Sequence, residues 1–330
     1  MGTWLQRMGA LISGHGQHTP VPVATALERR PTVSAPANPT PTALAPRAAE
    51  PSHAWRLPFF EWLLDTGPLD ESPLHDSERR LLAQLDTAVA NDATRSSLLP
   101  RAPTVVPALL NSLRDESQSA ASLAQRVTRD PQLVAEVLRM ANGAQTRGDT
   151  AVLDIADAIQ RLGTNGLRRA IARVLLKPIF DGRGDSLSAR CASRLWLHSE
   201  AKANACQREA AARGLDPFEG YLTGLMHNIG WTATLRAIDR SDAGAARTRY
   251  SEAFAHAIEP RRESFFALLV MSWQLSDALT RLAVELIDTD IGSVTTPLGH
   301  ALNAADEQAS LEMLDAGSAL GPIDLSKLAH

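Results

Sequence analysis

The chain predicts an all-α protein, and three observations carry that reading. Apolar residues recur at helical spacing in block after block. Helices open on a repeated Asp-Pro pair, at Asp130-Pro131 and Asp216-Pro217, and period-two strand signals are absent. An aspartate before a helix accepts a hydrogen bond from an otherwise unpaired backbone N–H, and a proline at the first helical position loses no bond by lacking its own. Short connections between such blocks give a multi-helix bundle.

Residues 1–13 form a short amphipathic stretch, with Trp4, Leu5, Met8, Leu11 and Ile12 at helical spacing and Gln6 and Arg7 between them. It lacks the long apolar core and cleavage site of a signal peptide, and one basic residue supports no more than weak contact with a membrane surface. Residues 14–53 are a Pro-, Ala- and Thr-rich linker, punctuated by Pro20, Pro22, Pro31, Pro36, Pro39, Pro41, Pro46 and Pro51. Such a run buries too little apolar surface to offset its ordering entropy, so it is expected to be disordered and extended.

Residues 54–97 read as a helical N-terminal extension. Phe59, Phe60, Trp62, Leu63 and Leu64 are a dense apolar cluster; Asp76-Ser77-Glu78 then opens a helix carrying Leu81, Leu82, Leu85, Ala88 and Val89 on one face. The segment is too small to hold its own core and is expected to dock onto the main domain or to mediate a contact. Phe59, Phe60 and Trp62 are its candidate partner-binding residues, since exposed aromatics anchor interfaces.

The main domain is read as residues 98–306, followed by a tail at 307–330. Val105, Leu109, Leu110 and Leu113 begin it. Ser119 caps a helix bearing Leu123 and Val127, and Asp130-Pro131 starts another with Leu133, Val137 and Ala141 on one face. Ile155, Ala158, Ile159 and Leu162 form the next, closed by Gly163; Thr164 caps a helix with Leu167, Ile171, Val174 and Leu175 that ends before Pro178. Leu195, His198, Ala201, Lys202 and Ala205 share a face. Asp216-Pro217 opens a helix in which Glu219 stands as in a capping box and Leu222, Leu225, Met226 and Ile229 make one stripe. His227 borders that stripe, so this helix carries an imidazole and the Asn228 amide inward.

Composition excludes several classes. With 330 residues, 44% hydrophobic and 21% charged, the chain is an ordinary globular protein, and its net charge of −4 offers no basic surplus for a nucleic-acid backbone. Cys191 and Cys206 lie in no C-x-x-C pair, which excludes a zinc knuckle, gives no disulfide framework and suits a cytoplasmic location. The apolar run Phe265 to Trp273 is far too short to span a membrane.

Leu222-Thr223-Gly224-Leu225-Met226-His227-Asn228-Ile229-Gly230 resembles the central motif of the HD superfamily. With Leu99-Pro100-Arg101-Ala102-Pro103, Asp130-Pro131-Gln132-Leu133, Leu138-Arg139-Met140-Ala141-Asn142, Ala158-Ile159-Gln160-Arg161-Leu162-Gly163 and Leu195-Trp196-Leu197-His198-Ser199, the chain is similar to the HDOD family, the HD-related output domain, from about residue 98 to 306. The resemblance implies an HD-like helical bundle. In the superfamily the His-Asp pair holds one or two metals for phosphohydrolase chemistry. Carried over residue by residue, those positions are His198, His227, Asn228 and Asp306.

Asn228 replaces a carboxylate by a neutral amide, which coordinates only as a dipole and cannot take up a proton. Arg261-Arg262-Glu263-Ser264 stands where relatives often read H-x-E, and Arg262 would repel a cation. The expectation is therefore no catalytic residue, no metal and no cofactor, with Asn228→Asp raising divalent-ion affinity. The structural alternative makes His198, His227 and Asn228 hydrogen-bonded interior groups and Asp306 a solvated one. The resemblance implies a non-enzymatic bacterial signal-transduction module acting on protein partners, a stand-alone adaptor on a flexible tether. The alternatives are a weak metal-dependent phosphohydrolase on nucleotides and a nucleotide-binding sensor without turnover.

Overall fold

The helices form where caps and apolar stripes place them. The structure is a computed structural model that describes residues 54–98, 105–114, 119–143, 151–182, 184–241 and 249–320. The segment 1–13, the linker 14–53 and the Leu99-to-Pro103 block lie outside the described residues. In chain order the helices are α1 (Arg56–Leu64), α2 (Asp76–Ala90), α3 (Asp92–Leu98), α4 (Val105–Arg114), α5 (Ala120–Thr128), α6 (Pro131–Gly143), α7 (Ile155–Phe180), α8 (Leu187–Ala212), α9 (Pro217–His227), α10 (Ile229–Arg240), α11 (Glu252–Trp273), α12 (Asp277–Asp288) and α13 (Pro297–Leu320). Among the described residues the strand-like pairing is one isolated bridge between Asp70 and Ser251.

The expected starts are made as the side chains dictate. The Ser119 hydroxyl accepts from the Ser122 N–H at 3.2 Å, the Asp130 carboxylate from Gln132 at 2.8 Å, and the Asp216 carboxylate from Phe218 at 2.9 Å. Glu219 pairs with Arg114 of α4 at 3.3 Å. Gly163 breaks α7 with φ 61° and ψ −171°, a conformation a side chain would resist, so the stop and restart read at Gly163-Thr164 hold. Two boundaries move. α7 continues through Pro178 to Phe180, where burial of Ile179 and Phe180 holds a turn that proline weakens. α13 runs through position 306 to Leu320, so the stretch read as a tail begins inside a helix.

Helix α8 is the hub, packed against α9 and α13 and, less extensively, α10 and α1. Two glycines allow the close approaches. A Cβ at Gly224 would stand 2.7 Å from the Lys202 carbonyl oxygen, and one at Gly230 would stand 2.3 Å from that of Arg262. The first brings α9 onto α8 and the second brings α10 onto α11.

The N-terminal extension is built into this bundle. Arg56 donates two hydrogen bonds to the Asp290 carboxylate, each 3.0 Å. Buried Glu78 accepts from the Ser251 N–H at 2.9 Å and hydroxyl at 2.7 Å. Helix α1 is apolar on nearly all sides, which calls for burial all round. Phe60 packs its ring 5.9 Å from Trp231 and 5.8 Å from Tyr250, and Phe59 lies 4.3 Å from the His198 ring. Phe59 and Phe60 are each only 2% exposed, and Trp62 is half-buried. The expectation of exposed anchors at Phe59 and Phe60 is thereby corrected: these rings complete the core.

Truncating Phe60 should therefore act on stability. Phe60→Ala is expected to cost about 3–5 kcal/mol, seen as an earlier urea midpoint at unchanged slope. A cost below about 1 kcal/mol would show a ring that does not pack. Gly224→Ala should also lower the melting temperature clearly, because its methyl group meets backbone and not a yielding side chain; an unchanged melt would mean that α8 and α9 lie further apart than this contact requires.

Candidate functional site

Four helices and one junction deliver a polar cluster to the centre of the bundle. His198 and Lys202 lie one turn apart on α8, with Ser199 beside them. His227 ends α9, and Asn228 sits between α9 and α10. Arg262 and Glu263 come from α11, and Asp306 and Ser310, one turn apart, from α13. None of these residues is more than 2% exposed. The fold thus brings together His198, His227, Asn228 and Asp306, the four positions singled out from the sequence. Asp306 is buried, which rules out the solvated alternative.

Lys202 occupies the middle. Its Nζ lies 2.5 Å from Asp306 Oδ1, 2.7 Å from Asn228 Oδ1 and 2.9 Å from His227 Nδ1. An ammonium has three donors and no acceptor, and here it meets three acceptors. The rest of the network follows from that one group. His227 Nδ1 must accept, so its proton is on Nε2 and is donated to Glu263 Oε2 at 2.7 Å. The Asn228 oxygen faces Lys202, so its amide nitrogen donates to His198 Nδ1 and to Ser199 Oγ, each at 2.9 Å. His198 is then protonated on Nε2, which points to Ser310 Oγ at 3.2 Å.

Arg262 supplies a second buried cation. It meets Glu263 at 2.5 Å, Glu259 at 2.8 Å and Asp306 at 3.7 Å. Burial pushes the Asp306 carboxyl up, but Lys202 and Arg262 outweigh it and hold that group well below the usual carboxylate range. Burial lowers the Lys202 pKa, with Asp306 opposing. Burial and the Lys202 charge hold His198 well below its ordinary value; burial lowers His227 as well, against the pull of Glu263. Two neutral imidazoles therefore stand among two cations and their carboxylates.

These residues do not fit a resident divalent ion. The atoms that would face one, Asp306 Oδ1, Asn228 Oδ1 and His227 Nδ1, face the Lys202 ammonium. Among the described residues no group of three or more His, Cys, Asp or Glu side chains is arranged to hold a metal. Sequence reading placed Lys202 on an apolar stripe and passed over it, although a lysine on a buried face was the available signal. Glu263 and Ser310 were missed too, because their partners are 36 and 112 residues away in the chain.

The HDOD domain family matches residues 99–286, more than half of the chain. The chain belongs to the HDOD domain family. Among solved structures it is similar to an HDOD domain protein from Geobacter sulfurreducens, at 22% identity over 70% of this chain and 79% of that one, with a TM-score of 0.53. It is also similar to a protein from Shewanella amazonensis SB2B named for a suspected metal-dependent phosphohydrolase activity, at 18% identity over 78% of this chain and 95% of that one, TM-score 0.52. Likeness at this identity shows a shared fold. No curated protein matches the HDOD chain. Among its described residues no helix is long and apolar enough to cross a membrane.

The two buried imidazoles give the domain an acid sensitivity. Unfolded histidines take up protons near pH 6.5, whereas His198 and His227 resist until lower pH, so stability is lost as pH falls through that value. Asp306, depressed from 3.8, adds its loss only at still more acidic pH. The melting temperature should decline between about pH 6.5 and 5, and the decline should be shallower in His198→Gln. An unchanged melting temperature across that window would mean that the imidazoles are accessible.

Proposed function

We propose that the protein is a regulatory module of bacterial signal transduction that works by contact with a protein partner and not by turnover. The observation that supports this most is the closure of the polar centre. His198, Lys202, His227 and Asn228 are 0% exposed, and the Phe59 ring lies against His198. A phosphohydrolase needs a path for its substrate and a group that polarises phosphoryl oxygen or activates water. In this centre each candidate base or ligand is engaged inside the protein: Asp306 by Lys202, His227 by Lys202 and Glu263, His198 by Asn228 and Ser310.

Membership of the HDOD family supports the same reading, since the family resemblance implies output units that act on other proteins. The partner surface then lies on the outer faces of the helices. The reading includes no cofactor and a cytoplasmic location, which the free, buried Cys191 and Cys206 suit; burial pushes both thiols up to about 12, leaving them unreactive.

Hydrolysis decides between contact and catalysis. The purified protein, supplied in turn with magnesium, manganese and ferrous iron, should turn over none of a panel of nucleotides and phosphodiesters above the metal-only blank. Turnover that disappears in His227→Ala would make the protein an enzyme and overturn the proposal.

A further inference from the structure

We infer that Lys202 is the resident cation of this centre: its tethered ammonium takes the place of a free metal ion, and removing it turns the pocket into a divalent-ion site. The geometry is that of a cation among its ligands. One positive group stands within 2.5–2.9 Å of a carboxylate oxygen from α13 and of an amide oxygen and an imidazole nitrogen from the adjacent residues at the α9–α10 junction. Ordinary buried lysines extend their ends toward water; this one is 0% exposed and ends at the point where α8, α13 and the α9–α10 junction meet. The ligands are set for a cation before any partner arrives. Asn228 aims its oxygen inward by giving its amide hydrogens to His198 and Ser199, and His227 presents an unprotonated Nδ1 by giving its Nε2 proton to Glu263. The same oriented shell behind the ligands is what a metal site uses.

The amide at 228 agrees with the charge of the occupant. An ammonium brings one positive charge where a metal ion brings two, so one carboxylate, Asp306, balances it, with Arg262 and Glu263 paired alongside. A covalently attached cation cannot dissociate, so the centre is indifferent to metal supply and to chelators. The sequence-based expectation for Asn228→Asp changes accordingly: with Lys202 in place, that variant gains no ion.

The experiment is equilibrium dialysis against manganese and zinc, paired with thermal melts in chelator and in added ion. Wild-type protein and Asn228→Asp should bind no ion and melt identically in both. Lys202→Ala should melt at least about 4 °C lower in chelator, bind one equivalent of ion and recover part of the loss when the ion is added. Lys202→Ala/Asn228→Asp should bind at least about tenfold tighter, about 1.4 kcal/mol, and Lys202→Ala/Asp306→Asn should bind none. Should Lys202→Ala not fold in chelator, recovery of folded protein by added ion supports the inference. If it folds in neither condition, Lys202→Met/Asp306→Asn decides: greater stability than Lys202→Met alone supports a cation–carboxylate centre, and no gain overturns it. A stoichiometric ion in wild type that His227→Ala removes, or a folded Lys202→Ala that binds none, also overturns it. The inference shares its site with the regulatory reading but not its test, because ion binding by a lysine variant leaves open what the wild-type surface contacts.

Discussion

The buried pair between Lys202 and Asp306 joins the hub helix α8 to the last helix α13, and the polar interior is arranged around it. Burying either charge alone would cost several kcal/mol, and losing one partner of such a pair typically costs about 3–5 kcal/mol. The ion pair is supported by two further contacts of the ammonium, to the Asn228 oxygen and to His227 Nδ1. From that point the donors and acceptors propagate outward without a choice: His227 to Glu263, Asn228 to His198 and Ser199, His198 to Ser310. A network of this kind fixes one arrangement of α8, α9, α11 and α13, since sliding any helix by a turn would leave buried polar groups unpaired.

The apolar packing encloses this network. Gly224 lets α9 approach α8, which carries the partners of Asn228, and Gly230 lets α10 approach α11. Helix α1 then closes the top, with Phe59 over His198 and Phe60 wedged among Trp231, Tyr250 and Phe254. The extension is also tied by Arg56 to Asp290, by Glu78 to Ser251, and by Arg194 to the backbone of Trp62 and Leu63. Low dielectric around the cluster follows from this covering and lowers the pKa of its histidines, while Lys202 and Arg262 keep Asp306 ionised against it.

The segment before the matched domain is thus integral to the fold. The family match begins at residue 99, yet residues of α1 and α2 contribute large buried rings and the buried Glu78. The inner faces of these helices are committed to the core.

The helical class, the caps at Ser119, Asp130 and Asp216, the break at Gly163 and the inward course of His227 and Asn228 were legible in the sequence, because each depends on residues within a turn or two of one another. The identity of the four clustered positions was legible through a motif. The extent of α7 past Pro178 and of α13 past residue 306 was not, since burial against distant helices overrides a local break or an assumed domain edge. Nor was the burial of Phe59 and Phe60, for an apolar cluster reads alike whether it faces a partner or its own core. The occupant of the centre was decided by tertiary structure alone. Lys202 is a lysine on a helix face until α13 brings Asp306 across 104 residues to meet it, and only that long-range pairing turns a surface-type side chain into an interior cation.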